Sequence, residues 1–321
     1  MKRQRLFLII NPISGTNSKA GLADKIESRL HESGYEVTAA YTTGRGDATR
    51  MARQAVADGY DGVLACGGDG TVNETARAML GTGVPMGIIP AGSGNGLARH
   101  LGVPVDVMMS LEVIAENYVV DCDYATANGE AFFCTFGMGF DAAVSHRFAH
   151  KGTRGKMTYI RSAVEEYLQY RAQDYSIEID GKTVEEKAFL VAVCNASQYG
   201  NNAFIAPHAS ITDGLLDVIV VKDSAFFGKV VLGFDMMTGL LRSGGHVKIY
   251  RTDRVMLRRN TSGPVHLDGE AATMGTDIEV RCVPGRLRLF ATTSKTRFRP
   301  IVTPVNYMLR DWRIALTHLF G

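Results

Sequence analysis

Residues 67–74 read GGDGTVNE, directly after the apolar run GVLAC and directly before a helix-like stretch. Glycine permits backbone conformations closed to other residues and lets amide groups approach a ligand closely, and a helix N-terminus favours negative charge. The segment therefore predicts a loop that cradles phosphates. Asp69, set among those amides, is suited to hold Mg²⁺, directly or through water, or to take a proton from an attacking hydroxyl.

A second loop of the same kind, PAGSGNGLAR at 90–99, follows the apolar run MGIIP and offers Gly92, Ser93, Gly94 and Asn95 as donors without bulk. Asn11, Pro12, Ile13, Ser14 and Gly15 end the first apolar run, and Thr42 and Thr43 end the second. If all four runs are strands of one parallel sheet, these residues share the rim where open α/β sheets bind ligands. Neither GxxxxGK[ST] nor GxGxxG with a ribose-binding acid is present, which excludes a Walker-type nucleotidase and a dinucleotide fingerprint. No GxSxG elbow occurs, and the eight histidines lack zinc spacing.

The elements that must position these loops follow from the apolar pattern. Through the first third, short apolar runs alternate with helix-like segments at 20–33, 47–58, 71–79 and 95–101, an order that predicts an open parallel α/β domain over 1–120. From about 121 to 299, strand-like runs separated by Gly, Asn and Asp turns predict an antiparallel β-sandwich, with one strong helical stretch at 156–172. A tight connection would leave a ligand-binding cleft between the domains. At 305–320 the spacing of Val305, Met308, Leu309, Trp312, Leu316, Leu319 and Phe320 is that of an amphipathic helix. It is expected to return to the first domain over 300–321; the alternative is an interfacial helix at a membrane surface.

The 321 residues carry 35 Lys/Arg against 33 Asp/Glu, a net charge of +2 that points to no nucleic acid or other polyanionic partner. The charge is uneven, however: 281–321 holds eight Lys/Arg and one acid, a candidate contact for phosphates or anionic headgroups. Five scattered cysteines, mostly inside apolar runs, read as buried free thiols of a reducing compartment. No apolar stretch is long and continuous enough to predict a signal peptide or a transmembrane helix.

GGDGTVNE together with PAGSGNGLAR resembles the catalytic signature of the diacylglycerol kinase and sphingosine kinase superfamily, in particular its small bacterial lipid kinases. Similar segments run along the chain: NPISG at 11–15, TTGRGDA at 42–48, FGMGFDA at 136–142, NASQYGNNAFIAP at 195–207, TDGLLDVIVV at 212–221 and HLDGE at 266–270. The resemblance implies a nucleotide-binding α/β domain plus a β-sandwich, with ATP and Mg²⁺ as cofactors and a lipid hydroxyl as acceptor. It places nucleotide contacts at Asn11, Ser14, Gly15, Thr42, Gly67, Gly68, Asp69, Gly70, Thr71, Asn73, Glu74 and Ser93. The proton acceptor is then Asp69 or the Asp268/Glu270 turn. A metal site would lie at Thr212, the Leu215 carbonyl and Asp217, with Thr212 standing where some relatives have Asp or Asn.

Within that superfamily GGDGT resembles the diacylglycerol pattern and GSGNGLAR the sphingosine and ceramide pattern, so a sphingoid-base or ceramide kinase is the first alternative. An NAD kinase and a non-catalytic nucleotide- or lipid-binding protein are the alternatives of other classes. A lipid kinase without a membrane span would be cytoplasmic and would touch the membrane transiently.

Overall fold

The computed structural model describes residues 3–15, 21–150, 166, 169–223, 226–293 and 298–320. The chain divides into two compact units, one of Met1–Cys122, Gly285–Arg297 and Asp311–Gly321, the other of Asp123–Pro284 and Phe298–Arg310. The first division falls between Cys122 and Asp123. Residues 285–297 return to the first unit rather than staying with the second. The C-terminal helix, expected as a whole on the first unit, is shared: 298–310 group with the second unit and 311–321 with the first.

In the first unit, β1 (Gln4–Ile10), β2 (Tyr35–Tyr41), β3 (Gly62–Gly67) and β4 (Met86–Pro90) are all parallel and lie in the order β4-β3-β1-β2. Every residue of β3 and β4 is buried, as expected of central parallel strands covered on both faces. The connecting helices are α1 (Leu22–Glu32), α2 (Asp47–Ala57), α3 (Asp69–Met79), α4 (Gly96–His100) and α5 (Val107–Ala115). They bury their apolar stripes: Ile26 and Leu30 of α1 and Leu111 and Ile114 of α5 pack with Leu6, Leu8, Leu64 and Ile89 of the strands. Strand order and direction together put the C-terminal ends of β1 to β4 on one edge.

The second unit is an antiparallel β-sandwich. Its strands are β5 (Val119–Ala127), which enters it from the first unit, then β6 (Glu130–Phe132), β7 (Thr135–Gly139), β8 (Gln173–Ile179) and β9 (Lys182–Cys194). These are followed by β10 (Leu216–Lys222), β11 (Val247–Thr252), β12 (Arg254–Arg259), β13 (Gly263–Leu267), β14 (Glu270–Met274) and β15 (Asp277–Phe290), which runs back to the first unit. β9 is the spine, paired with β7, β8 and β10. Along its second half Val191 and Val193 enter a core shared with Phe136, Ile177 and Leu257, while Leu190, Ala192 and Cys194 enter another on the opposite face. This is the period-two alternation of a strand buried on both sides.

Among the described residues three helix spans belong wholly or partly to this unit: α6 (Phe140–His150), α7 (Phe226–Thr238) and α8 (Val302–Phe320). The helix expected at 156–172 falls mainly outside the described residues. α6 and α7, like α5 of the first unit, were not expected. The stretch FFGKVVLGFDMMT of α7 is almost uniformly apolar, so it carries little polar periodicity to separate a helix from a strand. Among the described residues no helix is long and apolar enough to cross a membrane. Cys66, Cys122, Cys134 and Cys194 are buried free thiols, and Cys282 is half-buried.

Candidate functional site

In the first unit, β3 runs straight into α3. Gly68 precedes the helix in an extended conformation with no side-chain cap, so the first-turn amides of GGDG are not consumed by a capping side chain. The Ala91 N–H donates to the Gly67 carbonyl at 2.8 Å, which lays the second loop alongside the first. The two backbones come so close that a Cβ on Gly92 would stand 2.4 Å from Gly68 Cα. Only glycine is compatible with that crossing.

Asn95 shapes the second loop from within. It adopts a left-handed conformation (φ 53°), its Oδ1 accepts the Gly92 N–H at 3.1 Å and its Nδ2 donates to the Gly92 carbonyl at 2.8 Å. Asp69 then ties the loops together, accepting the N–H groups of Asn95 at 2.9 Å and Gly96 at 2.7 Å. Burial pushes the Asp69 carboxyl above the usual range, and these amides pull against it. Arg99, almost fully buried, donates Nε to the Gly94 carbonyl at 3.1 Å and pairs with Asp311 at 2.8 Å.

The other expected residues join the same rim. Asn11 Nδ2 donates to Thr71 Oγ1 at 3.0 Å, and Ser14 Oγ donates to the Asn11 carbonyl. Pro12 sits on the exposed turn that follows β1, and a Cβ on Gly15 would meet the Ala91 carbonyl oxygen at 2.5 Å. The Thr42 N–H donates to the Ile10 carbonyl, and Glu74 accepts the Gly46 N–H at 2.9 Å. Gly70 and Ser93 are exposed at the opening, while Asn73 is buried and its Nδ2 has no hydrogen-bond partner among the described residues. Asp47, at the start of α2, is held well below the usual carboxylate range by hydrogen bonds from Thr43. Asp47 and Arg99 lie in TTGRGDA and PAGSGNGLAR, but local sequence assigned neither an individual role. Nothing local announces that Arg99 finds its acid 212 residues away.

In the second unit, Asp268 (φ 52°) and Gly269 (φ 82°) form the two-residue turn between β13 and β14. Two successive positive φ values make it a type I′ hairpin, for which Asp-Gly is a favoured pair. The Asp268 carboxylate accepts the N–H groups of Phe133, Cys134 and Thr135 at 2.8, 2.6 and 2.9 Å. Burial pushes its carboxyl up while the three amides pull against it. It anchors the turn to the start of β7. Glu270, the next acid, begins β14 and is half-buried.

His266 supports the turn from beneath. Its Nδ1 accepts the Gly269 N–H at 3.3 Å, which assigns the ring proton to Nε2, 3.1 Å from an Asp141 oxygen that also accepts the Tyr199 hydroxyl at 2.8 Å. Three segments singled out in the sequence, FGMGFDA, NASQYGN and HLDGE, thus meet through Asp141, Tyr199 and His266.

The 212–217 turn is built differently from a cation cage. Asp217 is buried and its carboxylate lies 3.1 Å from Arg251 Nε; Arg251 also pairs with Asp213. Burial raises the Asp217 carboxyl, and Arg251 draws it back down. Thr212 is exposed with its hydroxyl 3.2 Å from that of Ser210, and the Gly214 N–H donates to Asp123 at 2.7 Å. A guanidinium already occupies the charge-compensating position a dication would need, so Thr212, Leu215 and Asp217 fit an arginine-neutralised turn better than a resident metal site. Among the described residues no group of three or more His, Cys, Asp or Glu side chains could hold a metal ion.

Comparison with known proteins matches each unit to a family. Residues 5–127 match the diacylglycerol kinase catalytic domain and residues 134–291 the YegS C-terminal NAD kinase beta sandwich-like domain. A diacylglycerol kinase of Bacillus subtilis (strain 168) is 27% identical over 279 residues, 85% of this chain and 91% of that protein. One of Staphylococcus aureus (strain bovine RF122 / ET3-1) is 32% identical over 227 residues, 69% of this chain and 72% of that protein. The crystal structure of a diacylglycerol kinase from Bacillus anthracis str. Sterne shares the fold, with a TM-score of 0.75 at 22% identity over 92% of this chain and all of that one. With a matching model on each unit and this identity across most of a relative's length, the chain belongs to the diacylglycerol kinase family and is a lipid kinase.

Proposed function

We propose that the protein transfers the γ-phosphoryl group of ATP to the hydroxyl of a membrane lipid such as diacylglycerol. The observation that carries this reading is the crossing of the two glycine loops. Gly68 and Gly92 are in near contact and Asp69 binds both loops, so backbone amides and the N-terminus of α3 are presented along one edge of a parallel sheet. Such an edge suits a polyphosphate. Mg²⁺ would enter as the MgATP substrate, its charge partly neutralising the phosphates.

Phosphoryl transfer passes through a loose transition state, so positioning and charge stabilisation dominate over covalent work by the protein. The lipid oxygen forms a bond to the γ-phosphorus, the bond to the bridging β–γ oxygen breaks, and ADP leaves with that electron pair. The hydroxyl proton goes to a carboxylate. We assign this role to Glu270, half-buried at the start of β14 on the turn that the resemblance puts at the acceptor; Asp69 and Asp268 hold backbone amides. Asp268 and His266 hold the turn that carries Glu270, and Asp69 holds the phosphate loops in register. The buried thiols accord with a cytoplasmic setting.

The test is transfer of radiolabelled γ-phosphate from MgATP, in mixed micelles, to diacylglycerol, phosphatidylglycerol, sphingosine and ceramide, with NAD in a separate detergent-free reaction. Label in a lipid is the expected result and names the acceptor. Label in NAD alone, or in no acceptor while ATP binds, would overturn the reading.

A further inference from the structure

Thirteen large hydrophobic side chains are exposed among the described residues, and nine of them lie on α7, on α8 or immediately before α8. Scattered exposed hydrophobics are ordinary; such concentration is not. On α7 the residues are Val231, Phe234 and Met237, spaced three apart on one face, with Phe234 61% exposed. The opposite face is apolar too, since Leu232 and Met236 pack into the core with Ala192 and Ile219. On α8 the outward residues are Val302, Val305, Met308 and Leu309, while Pro304 is buried and Tyr307 packs against Phe204. A helix apolar on both faces is one whose outer face has a further partner.

The two helices form one surface within the second unit. The Ile301 N–H donates to the Thr238 carbonyl at 2.7 Å, joining the start of α8 to the end of α7, and the Phe298 ring lies against Gly239. Arg242, Arg299 and Arg313 are exposed and Arg310 lies over the Tyr307 ring, while of the two acids in 224–242 and 298–313 Asp235 is half-buried and Asp311 is bridged to Arg99. Arg242 and Arg299 stand beside the apolar residues.

We propose that the outer faces of α7 and α8 dock the protein onto an anionic lipid bilayer. α7 has 13 residues and at 1.5 Å per residue is about 20 Å long, too short to span the hydrocarbon core, so it would lie in the interface plane. The excess of cations selects the bilayer over a second copy of the chain, because a two-fold interface would bring this positively charged face against itself. The docking surface does not depend on the phosphotransfer reading, and its test uses no nucleotide.

The full-length chain is mixed with phosphatidylcholine vesicles, with or without phosphatidylglycerol, and bound protein is separated by flotation. The chain's only tryptophan, Trp312, lies further along α8 and is 67% exposed, which makes it a reporter. Binding to the anionic vesicles should shift its emission to shorter wavelength and expose it to quenching by brominated lipid. Phe234→Ser/Met237→Ser and Val305→Ser/Met308→Ser should each weaken binding at least about tenfold, with unchanged circular dichroism and melting. Arg242→Gln/Arg299→Gln should lose about tenfold on anionic vesicles only.

Wild-type protein that floats with neither vesicle, or serine variants that bind as wild type does, would overturn the proposal. So would a dimer in sedimentation that the serine variants dissociate, which would assign the face to a second copy. Loss of kinase activity in the micelle assay would leave the vesicle result standing.

Discussion

Asp69 accepts the amide N–H of Gly96 at 2.7 Å across 27 residues of chain, and this bond fastens the loop after β3 to the loop after β4. Its other oxygen accepts the Asn95 N–H, so the whole carboxylate serves the junction. An asparagine of the same size would turn an NH₂ group toward one of two N–H donors. Asp69→Asn should therefore open the loops and lower the rate of lipid phosphorylation by at least about 100-fold, the scale set by misplacement of reacting groups. The check is steady-state kinetics beside a melting curve; near-normal turnover would refute the role.

Asp268 and Glu270 are two residues apart and should fail in different ways. Removing the Asp268 carboxylate leaves three amide donors unpaired, so Asp268→Ala should cost about 3 kcal/mol or more of stability at roughly 1–3 kcal/mol per unsatisfied group. Glu270→Gln should keep the melting temperature and lower kcat by about 100-fold or more, as loss of a general base does. Urea unfolding of both variants beside their kinetics separates the roles. A fully stable, inactive Asp268→Ala would reverse the assignment.

The Arg251–Asp217 pair yields a prediction about metals. Arg251→Met leaves the buried Asp217 uncompensated, and because Arg251 is 47% exposed the cost should be about 1–3 kcal/mol rather than the 3–5 of a fully buried pair. Chelation with EDTA should leave the wild-type melting temperature unchanged. A drop restored by Mg²⁺ would place a resident cation at the turn after all.

His100, at the end of α4, has its pKa pushed down to about 4 by burial. A depressed histidine favours the folded state fully above its unfolded value near 6.5, and that advantage is lost as pH falls from there to about 4. The loss should reach at most about 3 kcal/mol, less to the extent that water reaches the half-buried ring. Urea unfolding at pH 7.5 and pH 4.5 should show a smaller difference in His100→Gln than in wild type. Equal differences would mean the ring is not responsible.

The parallel half was the most legible part of the chain. GVLAC and MGIIP are short, apolar and bounded by glycine, and helices appear at 22–32, 47–57, 69–79 and 96–100, close to where the spacing put them. Nearly every candidate residue of the phosphate rim lies within a few positions of a strand end. α7 was missed because a uniformly apolar segment carries no phase, and α6, FDAAVSHRFAH, because its polar and apolar residues form no clean stripe. The basic tail was legible as composition but not as an unpaired surface: Arg281 is paired with Glu279 and Arg288 with Asp121, so part of the charge is matched by surface acids.

What the sequence determined alone were the loops, because glycine permission, strand ends and helix starts are local properties recorded within ten residues of one another. It could name Asp69, Asp268 and Glu270 as acids of interest without ranking them. What an acid's oxygens touch is decided by the tertiary structure. Asp268 meets amides more than 130 residues away, Asp69 meets a loop 26 residues on, and Asp217 meets an arginine on the next strand. Such long-range pairing depends on strand register and burial, which no local pattern encodes.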